Sequence, residues 1–319
     1  MAQIIYPKIN LVEEIKKMKK LRSATILSHN YQIPEVQDLS DFVGDSLELA
    51  LETKKLDNKL IIFCGVHFMA ETLSILAPQK KILLPDLDAG CSLASSINGE
   101  QLQEWKRKHP NSIVISYINT SAAVKAESDI CCTSSNAVKI VESVSANKEI
   151  LFLPDLFLGA YVEKITGRSM HIWPGECHVH VQLTAQKINE LRKRQPDADF
   201  LIHPECGCVS NTMYNLAEKN ISAKKTKILS TSGMIKYAKS STAKEFIVAT
   251  ETGILYPLRK ENPTKTFYPA QKDAVCEYMK MINLDKIYKS LNELVYEVKV
   301  PKKIAEKARK PILKMLEIL

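Results

Sequence analysis

Three stretches share one design: ATILSHNY at residues 24–31, SIVISYIN at 112–119 and ADFLIHPE at 198–205. Each is a short apolar run ending in polar, reactive side chains, the pattern of a buried strand whose carboxyl end carries chemistry. The closing triplets begin at His29, Tyr117 and His203, spaced by 88 and then 86 residues. A Ser/Thr/Gly turn that opens a helix follows each: GDSLELA, TSSNAVKIV and STSGMIKYA. With Ser46, Ser134 and Ser232 as markers, the triplet-to-turn distances are 17, 17 and 29, so the third unit carries a polar insertion within residues 210–225. A second apolar strand comes next (KLIIFCG, EILFLPD, EFIVATE), and a third segment ends at a cysteine in ILLPDLDAGC, IWPGEC and FYPAQKDAVC.

This register predicts an α/β fold built three times. Each unit reads strand–helix–strand–helix–strand, a small parallel sheet covered by helices on both faces. The expected architecture is three similar αβα, Rossmann-like domains around a pseudo-threefold axis, over residues 1–95, 96–181 and 182–319. Two C-terminal helices, broken before Pro301, complete the third unit in sequence and can pack back on the first domain. Pro311 inside the second of them predicts a kink. Ligands of such sheets sit beyond the carboxyl ends of the strands, where the triplets, the serine turns and the cysteines all fall.

Composition narrows the function classes. The 45% hydrophobic and 25% charged residues are those of an ordinary globular protein. No apolar stretch reaches the ~18–20 residues of a membrane helix, and the N-terminal stretch MAQIIYPKINLVEEIKKMKK lacks a signal-peptide core. A cytoplasmic location without membrane attachment is expected. The net charge of +8 comes from scattered lysines with no aromatic-interleaved basic stretch, which argues against nucleic acid and suits small anionic substrates.

Eight cysteines in a cytosolic chain without a CxxC are read as thiols, not as disulfides or a zinc ribbon. Cys64, Cys131 and Cys132 read as small buried hydrophobes. Cys206 and Cys208 stand out of phase with the repeat and are not expected to be ligands, though either can be redox-sensitive. Cys91, Cys177 and Cys276 lie 45, 43 and 44 residues beyond their marker serines, so one thiol per domain converges on a common centre. Such a triad suits a [4Fe–4S] cluster with one iron left open, and the competing reading is a Cys/His zinc site using His178 or His180.

The stretches SHNYQIPEVQDLSDFVGDSLELA, PDLDAGCSLA, SYINTSAAVKAESDICCTSSNAVKI, WPGECHVH, HPECGCV, TSGMIKYA and KARKPILKMLE, in that order, resemble the quinolinate synthase family over nearly the whole chain. The resemblance implies three αβα domains around a [4Fe–4S] cluster held by Cys91, Cys177 and Cys276. It also implies a reaction: iminoaspartate, supplied by L-aspartate oxidase as functional partner, condenses with dihydroxyacetone phosphate to give quinolinate, phosphate and water in de novo NAD synthesis. Some members carry a CxxCxxC near the third ligand; here Ala270 and Asp273 precede Cys276, so that local switch is absent. A diphthamide-synthesis type of three-cysteine enzyme and a non-catalytic iron–sulfur sensor are the rival readings.

Roles follow from the demands of that chemistry. Anionic substrates need hydroxyls and helix N-termini, which assigns substrate binding to Ser46, Ser134, Thr231 and Ser232; each can equally be a plain helix cap. Proton transfers need acids and bases at strand ends, which makes His29, Tyr31, Tyr117, His203 and Glu205 the catalytic candidates. His29, Tyr117, His203 and Glu205 also count as substrate contacts, joined by Asn119 and His180. His67, His109 and His171 read as structural.

Overall fold

The computed structural model describes residues 10–318; residues 1–9, part of the stretch that lacks a signal-peptide core, and residue 319 lie outside the description. Among the described residues, twelve strands form three sheets. The first holds β1 (Ala24–His29), β2 (Phe42–Gly44), β3 (Leu60–Cys64) and β4 (Lys81–Leu83). The second holds β5 (Ile113–Tyr117), β6 (Ile130–Cys132), β7 (Ile150–Leu153) and β8 (His171–Ile172). The third holds β9 (Asp199–Ile202), β10 (Thr226–Ile228), β11 (Glu245–Ala249) and β12 (Thr266–Pro269). All pairings are parallel, and all three sheets share one order: β2-β1-β3-β4, β6-β5-β7-β8 and β10-β9-β11-β12.

The central strands are apolar runs because helices cover both faces: every residue of β1, β3, β7 and β9 is buried. Each sheet has one strand more than the sequence predicts. The additions, β2, β6 and β10, are three-residue edge strands directly before the serine turns, too short to leave a periodic signal. The insertion of the third unit is the nine-residue helix Val209–Ala217 and its following turn, where the first two units have helices of six and five residues.

The tail closes on the first two domains. Helix Leu284–Glu293 packs on helix Leu11–Leu21, and the chain after it lies against the edge of β4, with Val298 N donating to Ile82 O at 2.9 Å. Helix Lys302–Glu317 runs through Pro311 and packs on Ala122–Ala126, β6 and His67–Leu76. Asn136 Nδ2 donates to Met315 O and Ile318 O at 3.1 and 2.8 Å, and Arg309 reaches Ile75 O at 2.8 Å.

Candidate active site

The carboxyl ends of β1, β5 and β9 meet across the domain interfaces. Asn30 Nδ2 donates to Thr231 Oγ1 at 3.0 Å, Ser135 Oγ to Asp45 Oδ2 at 3.4 Å, and Tyr117 gives its hydroxyl to Glu205 Oε1. Between these edges lies a cavity. His29, Tyr31, Tyr117, Asn119, His180, His203 and Glu205 all line it. So do Ser46, Ser134 and Thr231, and the thiols of Cys91, Cys177 and Cys276.

Ser232 is placed apart from this set. Strand register explains why: His29 pairs with Gly44 and Tyr117 with Cys132, and Ile202 pairs with Ile228. Counting on from these pairs, Thr231 is the equivalent of Ser46 and Ser134, one residue before the serine marked from the sequence. Ser232 instead gives its hydroxyl to Glu48. In the first and third units the helix cap lies one residue before the cavity hydroxyl, at Asp45 before Ser46 and Ser230 before Thr231. Asp45 closes a capping box with Glu48, accepting from Leu47 N and Glu48 N at 3.0 Å each, and Ser230 accepts from Gly233 N at 3.2 Å. With capping delegated to Asp45 and Ser230, the Ser46 hydroxyl is left to the cavity, and Thr231 Oγ1, which accepts from Asn30, keeps its hydrogen to donate there.

The cysteines sort by environment. Cys64, Cys131 and Cys132 are fully buried, whereas Cys91, Cys177 and Cys276 are half-buried in the loops after β4, β8 and β12. Those loops are laced together: Ser92 Oγ lies 2.8 Å from His178 Nδ1, and the His178 ring meets Tyr278 edge-on at 5.7 Å. Gly175 sets the approach of the second loop, because a Cβ there would lie 2.4 Å from Pro154 O. Burial pushes the Cys91 thiol up to about 12 and Cys276 up to about 11, and raises Cys177. A bound cation reverses that preference by stabilising the thiolates. Contrary to the sequence expectation of free thiols, Cys206 and Cys208 are joined as a disulfide behind Glu205, buried and away from the cavity.

One chain of polar contacts crosses all three domains. Tyr31 Oη lies 2.5 Å from Thr250 Oγ1, which lies 2.8 Å from His180 Nε2. His180 Nδ1 lies 3.1 Å from Glu205 Oε2, and Glu205 Oε1 receives the Tyr117 hydroxyl. The His180–Glu205 approach is close but poorly angled, so the contact is ionic rather than a formed hydrogen bond. Burial opposes the charge on both, yet their mutual attraction prevails. Against burial, His203, His180 and Tyr117 hold Glu205 down to about 2. Cys177 and Glu205 likewise lift His180 to about 10. Burial, then the Glu205 charge, drives the Tyr31 and Tyr117 hydroxyls well above their usual range, so both stay protonated donors.

His29 and His203 share a second device. The backbone N–H two residues on points at Nδ1 in each: Tyr31 N at 3.2 Å from His29 and Glu205 N at 3.4 Å from His203. An Nδ1 that accepts carries no proton, so the neutral ring bears its hydrogen on Nε2. Burial and neighbouring cations agree, lowering His29 to about 3; burial outweighs the Glu205 charge to lower His203 to about 4.

Sequence reasoning missed Thr250 and Glu251, although EFIVATE carries them at a strand's carboxyl end. Glu251 lines the cavity, accepts from Gly253 N at 2.7 Å and Cys276 N at 3.2 Å, and pairs with Lys280 at 2.9 Å. It therefore fixes the loop of the third cysteine. Among the described residues, Cys177, His180 and Glu205 bring their ligand atoms within 4.8 Å of one another, and the three cysteine sulfurs do not crowd so tightly.

Comparison with known proteins identifies the family. The family model for quinolinate synthetase A protein (NadA) matches residues 13–317. The quinolinate synthase of Thermus thermophilus is 51% identical over 308 residues, covering 97% of each chain. That of Pyrobaculum aerophilum is 51% identical over 307 residues, covering 96% of this chain and 99% of its own. That of Mycolicibacterium paratuberculosis is 49% identical over 306 residues, covering 96% and 88%. A solved structure, the E-1-hydroxy-2-methyl-but-2-enyl-4-diphosphate reductase from Plasmodium falciparum, aligns over 89% of this chain and 93% of its own at a TM-score of 0.34 and 12% identity, too distant to add to the argument. With a family model spanning nearly its whole length and half its residues identical to those of full-length relatives, the chain belongs to the quinolinate synthetase A (NadA) family.

Proposed function

We propose that the cavity condenses iminoaspartate with dihydroxyacetone phosphate to quinolinate, releasing phosphate and water. The observation that carries the reading is the meeting of three thiols, three hydroxyls and the Tyr31–Thr250–His180–Glu205–Tyr117 chain on one cavity. Family membership implies an iron–sulfur cofactor, and the donor set suits a [4Fe–4S] cluster held by Cys91, Cys177 and Cys276. One zinc ion, with Zn–S near ~2.3 Å, would draw its three sulfurs to roughly 4 Å of each other; a cluster bound through separate irons has no such need. Cys177, His180 and Glu205 alone would suit a single ion, which keeps zinc as the alternative occupant. When bound, the cluster supplies an open iron as Lewis acid for dehydration.

The chain's own residues bind anions and move protons. Among the described residues the cavity lining includes no lysine or arginine. Beside His180, whose charge is engaged by Glu205, carboxylates and phosphate are then met by neutral donors: the hydroxyls of Ser46, Ser134 and Thr231, the Asn119 amide, and Nε2–H of His29 and His203. The N-termini of helices Ser46–Lys55 and Thr231–Ser240 add their dipoles. Glu205, held ionised, accepts a proton, while Tyr31 and Tyr117 donate from the two ends of the chain of contacts. The domain limits 1–95, 96–181 and 182–319, and L-aspartate oxidase as source of the imine, belong to the same proposal.

The test is quinolinate formation from oxaloacetate, ammonia and dihydroxyacetone phosphate by cluster-loaded protein. Cluster-loaded protein that forms none, or that cleaves S-adenosylmethionine instead, overturns the reading.

A further inference from the structure

On the outer face of the second domain, away from the cavity, three residues distant in sequence meet. His109 caps the end of helix Gly99–Lys108, Glu149 directly precedes β7, and His171 opens β8. Their side chains are 23%, 57% and 48% exposed. His109 Nδ1 lies 3.3 Å and His171 Nε2 3.9 Å from the same carboxylate oxygen, Glu149 Oε2, with the two rings 4.2 Å apart. All three ligand atoms fall within 4.8 Å of one another. The sequence alone assigned both histidines a structural role, yet neither side chain is packed into a core.

We infer that His109, Glu149 and His171 form a surface site for one divalent transition-metal ion of the zinc, nickel or copper type. Two imidazoles and a carboxylate are the donors such ions prefer. Ligand atoms about 2.1 Å from a tetrahedral ion stand roughly 3.4 Å apart, so the first separation already fits and the second closes by about 0.5 Å. An ordinary surface ion pair needs only one histidine; here one oxygen faces two. The frame is preorganised: Ser112 N donates to His109 O at 3.2 Å and Ile113 N to Glu149 O at 2.8 Å, while His171 pairs with Leu151 across β7 and β8. Arg168, beside the site, spends its guanidinium on the carbonyls of Val144, Ser145 and Lys148 and leaves Glu149 to the histidines.

The site carries its own reporter. The sequence has two tryptophans, Trp105 and Trp173; Trp105 lies 6.5 Å from the His109 ring and 5.5 Å from Trp173. Tag-free, cluster-loaded protein is titrated anaerobically with nickel(II), a paramagnetic quencher, following tryptophan emission, and zinc(II) is then added in competition. Expected are saturable quenching at one equivalent, reversal by zinc, and affinity in His171→Ala and Glu149→Gln weakened at least ~10–100-fold, the loss that even an outer-shell partner causes. Quinolinate formation stays unchanged in both variants. Quenching that does not saturate, or that is the same in both variants, overturns the assignment.

Discussion

Replacing Glu205 by Gln separates catalysis from folding. The amide keeps the shape and still accepts the Tyr117 hydroxyl, but the charge facing His180 at 3.1 Å is gone. A buried cation stripped of its partner costs about 3–5 kcal/mol. His180 escapes that full cost because Cys177, the larger of the two groups that lift it, stays beside it. What remains is roughly one rearranged buried hydrogen bond, about 1–2 kcal/mol, or a lowering of about 2–8 °C in midpoint at ~2–4 °C per kcal/mol. Turnover should fall ~10²–10⁴-fold, the share of a positioned acid or base, which is about 3–5 kcal/mol of barrier. The two losses differ enough to be told apart. The assay is quinolinate formation at saturating substrates beside iron content, cluster absorbance and a thermal scan. Turnover within about tenfold of the parent with the cluster intact would refute the catalytic role, and so would loss of fold or cluster that accounts for the inactivity.

Three further outcomes are expected. Serine at Cys91, Cys177 or Cys276 abolishes iron–sulfur absorbance and activity, whereas serine at Cys64, Cys131, Cys206 or Cys208 leaves a folded protein with its cluster, checked by iron and sulfide analysis. Ser134→Ala raises substrate KM by the ~10-fold that about 1–2 kcal/mol implies, while Ser232→Ala, whose hydroxyl is turned to Glu48, leaves KM near the parent value; equal KM values in both variants count against the register. His29 and His203 are depressed bases, protonated only near pH 3 and 4, so ¹⁵N NMR of the cluster-free protein at pH 6 should show both as neutral Nε2–H rings, and an imidazolium at either position would contradict the tautomer argument.

Much of the fold was legible because buried parallel strands write themselves as apolar runs, and three such runs in register expose the repeat. ATILSHNY, SIVISYIN and ADFLIHPE became β1, β5 and β9 with their polar triplets at the cavity. The edge strands β2, β6 and β10 were not legible, since three residues are too few to carry a period. The third serine turn was marked one residue late because serine and threonine are interchangeable as hydroxyl donors and only strand pairing separates Thr231 from Ser232. Thr250 and Glu251 escaped notice because their role depends on Tyr31 and Cys276, which only the fold brings near. The Cys206–Cys208 bond was likewise hidden, since two cysteines in a cytosolic-looking chain give no local sign of pairing.

Triplication explains why the site is both buried and reactive. The closing contacts each join residues from different sheets: Tyr117 with Glu205, Tyr31 with Thr250, and Asn30 with Thr231. A single domain would leave its strand-end histidine and tyrosine in water with ordinary acid–base behaviour. The depressed histidines and elevated tyrosines arise when three edges exclude solvent from one another, burial being the first cause of each shift. The helix Lys302–Glu317 then has a role beyond stability. It ties Asn136 beside the second serine turn to the tail while Arg309 grips the first domain at Ile75. Holding two edges together holds the dielectric of the cavity, so catalytic power in this chain is a property of domain packing as much as of the residues that face the substrate.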